Sequence, residues 1–365
     1  MKANIEVVVY TKHQLRQALD KNSLWNGTIE SAISKNKVNW LLNAPRIKED
    51  DYCLLLGLAD KKMVAFIHLL PDELNIENDS KKKVYWLIEW WVNEEYTDTV
   101  LGIYLYNEAL KLTNNKTLIK SNAEKVNVFY RKQPFTPILS RKRYTIFFGL
   151  NPDSLIVKFS FLKYIKPILK ITDFFVKKLI AYWNINKIGD STKNLKYEYL
   201  SIIDNSTWEF IKPFLNHDVI KKTKDYISWQ LDPKQYIQTT IPRKNYAKAK
   251  IKGYTNKVNI YSFKVISNEK PIAFISILNF NGEVYIKYFI ASNTHYELAV
   301  NALIEHCIVL KVSHIFTDDA NLVNAIKRKI KTVFMYSIDK TAWVHNSVVN
   351  DVENLVFTER DGHFI

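Results

Sequence analysis

Glycine is scarce in this chain, and its spacing excludes two common kinds of nucleotide-binding loop. Only 8 of the 365 residues are glycine, and the two closest, Gly253 and Gly282, are 29 residues apart. A GxGxxG fingerprint or a Walker loop needs glycines a few residues apart, because the backbone must approach the phosphates closely. The sequence therefore contains neither motif.

Disulfide frameworks, metal-binding motifs and long apolar runs are also missing. The two cysteines, Cys53 and Cys307, each lie in an apolar stretch, which predicts buried thiols. The 8 histidines are scattered singly, without an HExxH motif, so no metal site is expected. With no apolar N-terminal signal segment and no run of about 18 apolar residues, the sequence predicts a cytoplasmic protein.

Acidic residues are too few to balance the basic ones. Lysine and arginine number 52 and aspartate and glutamate 37, which gives a formal net charge of +15. Lysines spread over a solvated surface explain such a charge, and acidic ligands, anionic lipid and RNA are the alternatives. Because no RNA-binding signature is present, nucleic acid is not expected as a partner unless it is tRNA. The length predicts two domains.

The most distinctive pattern lies between Val84 and Phe135. Val84–Val92 is an apolar and aromatic run interrupted only by Glu89, which predicts a strand buried on both faces. A polar loop, Asn93–Thr99, follows, and apolar residues then recur at helical spacing from about Val100. The N–H groups at the start of such a helix, together with its dipole, form an anion site.

This succession resembles the core of the GNAT (GCN5-related) N-acyltransferases. Upstream, Cys53–Ala59 and Met63–Leu70 are typical of the hairpin that precedes the central strand in that family. Downstream, Thr117–Ser121 leads to a helix in which Tyr130 stands five residues before Phe135, as a tyrosine does in the family. The resemblance covers about 130 residues in the expected order.

The family's phosphate-binding loop is only partly matched. Its pattern is glutamine or arginine, two residues, glycine, one residue, and glycine or alanine. The aligned residues here are Thr97, Asp98, Thr99, Val100, Leu101 and Gly102. Only Gly102 fits, so the cation and the first glycine are replaced.

The resemblance implies roles for particular residues. Glu89 is the expected base that takes a proton from the amine acceptor, although a buried glutamate paired with a lysine for structural reasons is an equal alternative. Tyr130 is the expected acid for the leaving thiolate, with a core tyrosine as the alternative. Acetyl-CoA or another acyl-CoA is the expected donor, with Arg131 or Lys132 supplying the missing charge. The residues that the resemblance assigns to donor binding are Trp91, Val92, Asn93, Thr99, Val100, Leu101 and Gly102.

The second half of the chain repeats the first at an offset of about 200 residues. Val258–Ile266 and Pro271–Leu278 predict a second hairpin, and Glu283–Ala291 matches the central strand. Trp229 echoes Trp40 in a similar local sequence. Phe289 stands where the first copy has Glu89, so the second copy is degenerate and the first is the better candidate for activity.

The predicted fold class is therefore α/β, with two tandem GNAT-like domains, each a mixed and mostly antiparallel sheet flanked by helices. The predicted domains are residues 1–150 and 195–365, joined by a basic helical linker at 151–194.

The linker carries an amphipathic pattern. Leu155–Ile188 contains seven lysines against one acidic residue, and a helix is predicted after Pro167. We expect this helix to bury Phe175, Leu179 and Trp183 against a domain, and an anionic membrane surface contacted through residues 168–183 is the alternative. Lys187–Asn194 then predicts a linker to the second domain.

Three functions remain open. The first is an N-acyltransferase acting on a small-molecule amine such as an amino sugar, because the sequence resembles acyltransferases of bacterial surface polysaccharide biosynthesis, including their Asp-Gly-His-Phe ending at residues 361–364. The second is an aminoacyltransferase of the peptidoglycan-bridge kind, which uses aminoacyl-tRNA and accounts for the basic charge. The third is a non-catalytic binding protein.

Overall fold

The computed structural model describes residues 4–25, 32–76, 82–120, 124–236, 258–280 and 282–362. Contacts group the chain into two units. Unit 1 contains Met1–Ser140, Leu215–Val258 and Thr341–Ile365, and unit 2 contains Arg141–Phe214 and Asn259–Lys340. The units interleave along the chain, whereas the predicted domains 1–150 and 195–365 follow one another. Residues His363 and Phe364 of the predicted ending lie outside the described residues.

The first half of the chain contains β1 (Ile5–Thr11), α1 (Lys12–Asp20), α2 (Lys35–Leu42), β2 (Tyr52–Ala59), β3 (Lys62–Glu73), β4 (Lys83–Val92), α3 (Leu101–Leu112), β5 (Thr117–Ile119), α4 (Glu124–Tyr130) and β6 (Phe135–Phe147). Then come α5 (Pro152–Lys158) and α6 (Lys166–Thr192). The second half contains β7 (Lys196–Tyr199), α7 (Asn205–Ile211), α8 (Lys224–Gln230), β8 (Val258–Ser267), β9 (Lys270–Phe280), β10 (Glu283–Ala291), α9 (Tyr296–Val309), β11 (His314–Thr317), α10 (Ala320–Lys329), β12 (Phe334–His345) and α11 (Val349–Val352).

Each unit is built on a six-stranded arrangement. In unit 1 the order is β1-β2-β3-β4-β5-β12, and in unit 2 it is β7-β8-β9-β10-β11-β6. Neighbours are antiparallel except for β4 with β5 and β10 with β11, which are parallel. Helices pack against these strands. This is the predicted fold class, with a GNAT-like strand order present twice.

The last strand of each copy joins the unit of the other copy, which is why the units interleave. In unit 1, Trp343 and Val344 of β12 pair with Ile119 and Leu118 of β5. In unit 2, residues 144–147 of β6 pair with β11. β4 and β10 nevertheless hold equivalent places, each antiparallel to its hairpin partner and parallel to the next strand. The predicted internal duplication is thus present in the fold.

Side-chain caps set the helix starts. Thr11 caps α1, and Gln14 completes a capping box with it. α2 begins at Lys35, where the Ser34 side chain accepts a hydrogen bond from the Lys37 N–H. Among the described residues, no helix is long and apolar enough to cross a membrane.

The prediction for the helix after Pro167 was wrong about its buried face. Phe175, Leu179 and Trp183 are 63%, 47% and 41% exposed, and the face with Asp173 and Asn184 is buried instead. α6 continues to Thr192, so most of the linker predicted at Lys187–Asn194 is helical. Polar side chains on the inner face have backbone partners, so burial does not leave them unsatisfied.

The buried His314 makes the stability of the fold sensitive to acid. Its ring stacks on Phe147 at 4.9 Å, and burial lowers its pKa to about 4. Glu283 lies 3.7 Å from Nε2, but that carboxylate is 42% exposed, so solvent screens its effect. The unfolded chain binds this proton at its ordinary pKa of about 6.5, whereas the folded chain does not until about 4. Stability therefore falls as pH drops through this window.

We expect His314→Phe to remove part of this acid sensitivity. The phenyl ring keeps the stacking and cannot be protonated, so the variant should lose about 3 kcal/mol less stability than the unaltered protein between about pH 7.5 and pH 4. Urea denaturation at both pH values is the measurement. Equal losses in the two proteins would show that His314 does not contribute.

Candidate active site

Glu89 lies beside a β-bulge in the central strand β4. His68 pairs with Glu89, but the next residue, Leu69, pairs with Leu87, so Ile88 is the additional residue. A bulge locally changes which way the following side chains point. Here it brings the Glu89 side chain to the face of the sheet that carries His68.

The Glu89 carboxylate is held by two buried side chains. Lys37 Nζ from α2 lies 3.2 Å from each Glu89 oxygen, and His68 Nδ1 contacts Oε2 directly. Lys37 and His68 are each 2% exposed, whereas Glu89 is 19% exposed. The carboxylate is thus fixed from the inside and retains access to solvent.

His68 is neutral near pH 7. Burial lowers its pKa, although the Glu89 charge acts in the opposite direction. A neutral imidazole beside an ionised carboxylate donates from the contacting nitrogen, here Nδ1, and Nε2 is then an acceptor. That Nε2 is buried and has no hydrogen-bond partner in the described part of the chain. Glu89 and His68 therefore form a carboxylate–imidazole pair with one unused proton acceptor.

Tyr236 completes the surroundings of Glu89. It ends a 3-10 turn that begins at Pro233, and its side chain is fully buried. Burial and then the Glu89 charge raise the pKa of this phenol well above its ordinary value, so it stays protonated.

Sequence reasoning predicted Glu89 as a site residue and did not predict the three residues around it. Two signals were present. His68 interrupts the apolar strand Met63–Leu70, and Lys37 lies beside Val38 on a helix with an apolar face. Tyr236 gave no such signal, since it follows a loop 147 residues beyond Glu89.

Tyr130 lies on the other face of β4. It is 2% exposed and packs among Tyr106, Phe135 and Trp343 at ring distances of 6.3, 5.6 and 6.0 Å. Burial raises the pKa of its phenol. The structure places Tyr130 in the core cluster beneath α3 and α4, and Lys37 and His68 hold Glu89 on the opposite face.

β4 has an open edge beyond its short pairing with β5. The described pairs between them are Tyr85 with Thr117 and Trp86 with Leu118. The Asn93 N–H donates to the Val64 carbonyl on β3, 2.8 Å away. Because successive N–H groups of a strand point to opposite edges, the Val92 N–H points to the open edge and the Trp91 N–H to β3. Of these three predicted donors, Val92 is the one aimed at the open edge.

The loop before α3 is only partly suited to a phosphate. The Thr99 N–H donates to the Tyr96 carbonyl, and the Leu101 N–H donates to Thr99 Oγ1. The first intrahelical bond of α3 runs from the Tyr104 N–H to the Val100 carbonyl, so the Gly102 N–H lies in the unbonded first turn. Three exposed carboxylates, Glu94, Glu95 and Asp98, lie in the same loop and would repel a phosphate.

Gly102 is needed for packing of α3 on β4. A Cβ at this position would lie 3.0 Å from Val92 Cγ2 and 3.8 Å from Trp90 Nε1. The close approach of helix and strand therefore explains this glycine without a ligand.

Two buried polar atoms beneath α3 have no hydrogen-bond partner in the described ranges. They are Trp90 Nε1 and the Tyr106 hydroxyl, whose rings stack at 5.4 Å. An unsatisfied buried donor costs about 1–3 kcal/mol, which a ligand with an acceptor at this place would recover. These atoms mark a second polar position on the α3 side of β4.

Comparison with known proteins finds similarity in structure but not in sequence. No protein-family model matches the chain, and no curated protein matches its sequence. A tandem GNAT protein from the clavulanic acid biosynthesis pathway is 11% identical, with 93% of this chain and 98% of that chain covered and a TM-score of 0.49. A GCN5-related N-acetyltransferase from Anabaena variabilis is 10% identical, with 96% and 75% covered and a TM-score of 0.49. The Saccharomyces cerevisiae N-myristoyltransferase with bound myristoyl-CoA is 13% identical, with 95% and 83% covered and a TM-score of 0.48.

We expect Lys37→Met to destabilise unit 1 by about 3 kcal/mol, because it leaves the Glu89 charge without its buried cation. The double variant Lys37→Met/Glu89→Gln should regain more than half of this loss, since it removes both charges. Urea denaturation measures the free energy of unfolding of both variants.

Lys264→Met is the matched control for this cycle. Lys264 is 7% exposed, but its partners Glu198 and Asp204 are 52% and 39% exposed and stay hydrated when it is removed. Lys264→Met should therefore lower the free energy of unfolding by less than Lys37→Met does. If Lys37→Met costs no more than Lys264→Met, the cluster at Glu89 is not strongly coupled.

Proposed function

We propose that this chain is an N-acyltransferase that moves an acyl group from a thioester to an amine, with Glu89 as the base. The observation that carries the proposal is the Glu89–His68–Lys37 cluster at the bulge of β4. A buried lysine and an imidazole hold the carboxylate rigidly, while its 19% exposure leaves it accessible to an acceptor. Rigid placement of a partly desolvated base is what proton abstraction requires.

The reaction begins when the acceptor loses a proton. Glu89 takes one proton from the substrate ammonium, and the resulting amine lone pair attacks the thioester carbon. The tetrahedral intermediate then expels the thiolate, which takes a proton from an acid of the protein, and the attacking nitrogen loses its second proton to solvent, which returns a proton to that acid. The sequence resemblance suggests Tyr130 as the acid for that last step: burial keeps its phenol protonated, and because it lies on the face of β4 opposite Glu89, it would have to act across the open edge of that strand. His68 and Lys37 are positioning residues that orient the carboxylate.

Acyl-CoA is the proposed donor, and it fits one end of the site better than the other. The Val92 N–H at the open edge of β4 suits the thioester carbonyl, and Trp90 Nε1 and the Tyr106 hydroxyl suit polar groups of the pantetheine arm. The carboxylates of Glu94, Glu95 and Asp98 do not suit the pyrophosphate. We therefore expect a weak affinity for acyl-CoA, because the cationic Arg131 and Lys132 offset the three carboxylate charges only in part.

An amino sugar or a related amine is the proposed acceptor. Trp91 lies two residues after Glu89 on the same face of β4, and it is partly exposed and packs on Phe66 at 5.5 Å. An aromatic ring beside the base suits the apolar face of a sugar. The cytoplasm, where acyl-CoA is made, is the proposed location, and a role in bacterial surface polysaccharide biosynthesis follows from the sequence resemblance.

Aminoacyl transfer from aminoacyl-tRNA is the second candidate. Two observations favour it: the acidic loop before α3 does not suit a pyrophosphate, and the net charge of +15 suits an RNA backbone. Calorimetry with acetyl-CoA and gel shift with tRNA separate the two donors. Heat with acetyl-CoA and no salt-sensitive tRNA shift supports the first candidate, and the reverse supports the second.

We expect Glu89→Gln to lower kcat by at least about a hundredfold while the donor Kd stays within about threefold, because only proton removal is affected. Stopped assays with an acyl-CoA and glucosamine, together with calorimetry, give both values. Glu305→Gln changes another partly buried carboxylate, which bonds Thr192 and Tyr197, and should leave kcat unchanged. Equal rates for Glu89→Gln and Glu305→Gln would contradict the assignment.

We expect Trp90→Phe to raise the KM for acyl-CoA about tenfold with little change in kcat, because it keeps the stacked ring and removes a hydrogen-bond donor. Trp343→Phe is the control, since that indole N–H already donates to Asn127. It should lower stability and leave the KM unchanged. If both variants keep the KM of the unaltered protein, the donor does not bind at Trp90.

A further inference from the structure

The surface formed by residues 157–183, here called the α5–α6 face, exposes many apolar side chains in one stretch. Twelve exposed large apolar side chains lie between Val157 and Trp183. Among them Tyr164 is 90%, Phe161 66% and Phe175 63% exposed. Large apolar patches on a protein surface mark sites of interaction with a partner or a membrane.

The opposite face of α6 fixes this orientation. Asp173 Oδ1 accepts a hydrogen bond from the Leu150 N–H at 2.7 Å. Asn184 accepts from the Lys331 N–H and donates to the Lys331 carbonyl, each at 2.9 Å. Ile180 and Ile188 are buried beside them. The helix cannot turn its apolar face inward without breaking these bonds, so the exposed residues are held outward.

Lysine side chains lie in the same stretch as the exposed apolar side chains. Residues 151–183 contain six lysines and two aspartates, and the aspartates pair with Lys166 at 2.8 Å and Lys177 at 2.7 Å. The remaining four, Lys158, Lys163, Lys170 and Lys178, make no ion pair in the described structure. Lys178 Nζ lies 4.5 Å from the centre of the Phe174 ring. Positive charge and apolar surface are thus interleaved.

We propose that the α5–α6 face binds the surface of an anionic lipid bilayer. Its aromatic and aliphatic side chains enter the boundary between headgroups and acyl chains, and its four unpaired lysines contact the lipid phosphates. A bilayer supplies apolar and anionic surface side by side, as this face requires. A second copy of the chain would place these lysines against each other. This inference does not depend on the proposed transferase activity.

Sedimentation of the full chain with vesicles tests the proposal. The protein should bind vesicles of phosphatidylcholine mixed with phosphatidylglycerol, bind phosphatidylcholine vesicles much more weakly, and dissociate as salt is raised. Phe175→Asp/Leu179→Asp should lower the partition coefficient at least about tenfold. Lys170→Gln/Lys178→Gln should lower it about fivefold for each charge removed.

Ile202→Asp is the matched control, because Ile202 is 69% exposed in the same unit but lies outside the α5–α6 face. It should bind as the unaltered protein does, and circular dichroism should show that all variants are folded. The proposal is overturned if the folded protein does not bind anionic vesicles, or if Phe175→Asp/Leu179→Asp binds as well as Ile202→Asp. It is also overturned if light scattering shows an oligomer that Phe175→Asp converts to a monomer, because a second copy then covers this face.

Discussion

The buried carboxylate of Asp72 is the constraint on which unit 1 depends. It is 1% exposed and accepts hydrogen bonds from Arg46, Trp86 Nε1, the Tyr226 hydroxyl and the Glu73 N–H. Burial raises its pKa, and Arg46 and the hydrogen bonds oppose that shift. Because a buried charge is tolerated only when it is paired and bonded, these partners are fixed in place. Tyr226 comes from the second half of the sequence, so Asp72 ties α8 to β3 and β4.

A contact between Trp40 and Trp229 in unit 1 reflects the internal duplication. Trp40 and Trp229 stack at 4.3 Å with a 9° angle between their rings. The indole N–H of each donates to the backbone carbonyl of the other, at 2.9 and 2.7 Å. Such reciprocal contacts are what a two-fold axis gives between identical subunits. The pair lies beside Lys37, so this symmetric contact helps to position the helix that supplies the cation for Glu89.

Patterns local in the sequence were predictable, and contacts between distant segments were not. The hairpins and the central strands follow from the alternation of side chains, which involves neighbouring residues. The buried face of α6 was assigned wrongly because Asp173 and Asn184 are polar, and only the fold shows that backbone groups satisfy them. Glu89 was conspicuous on β4, whereas Lys37 and His68 contact it from α2 and β3, which one-dimensional spacing cannot show. The domain limits predicted at 150 and 195 did not anticipate the exchange of β6 and β12.

That exchange also has a consequence for the order of folding. Residues 118 and 119 of β5 find their partners at residues 344 and 343, which leave the ribosome after more than two hundred further residues have been made. Until then the β5 edge of unit 1 lacks a strand, and an unpaired edge is open to wrong partners. Pairing across such a distance in sequence is slow, because a long loop must close before any contact stabilises it. The β5 edge of the first copy is therefore completed only by a strand of the second copy.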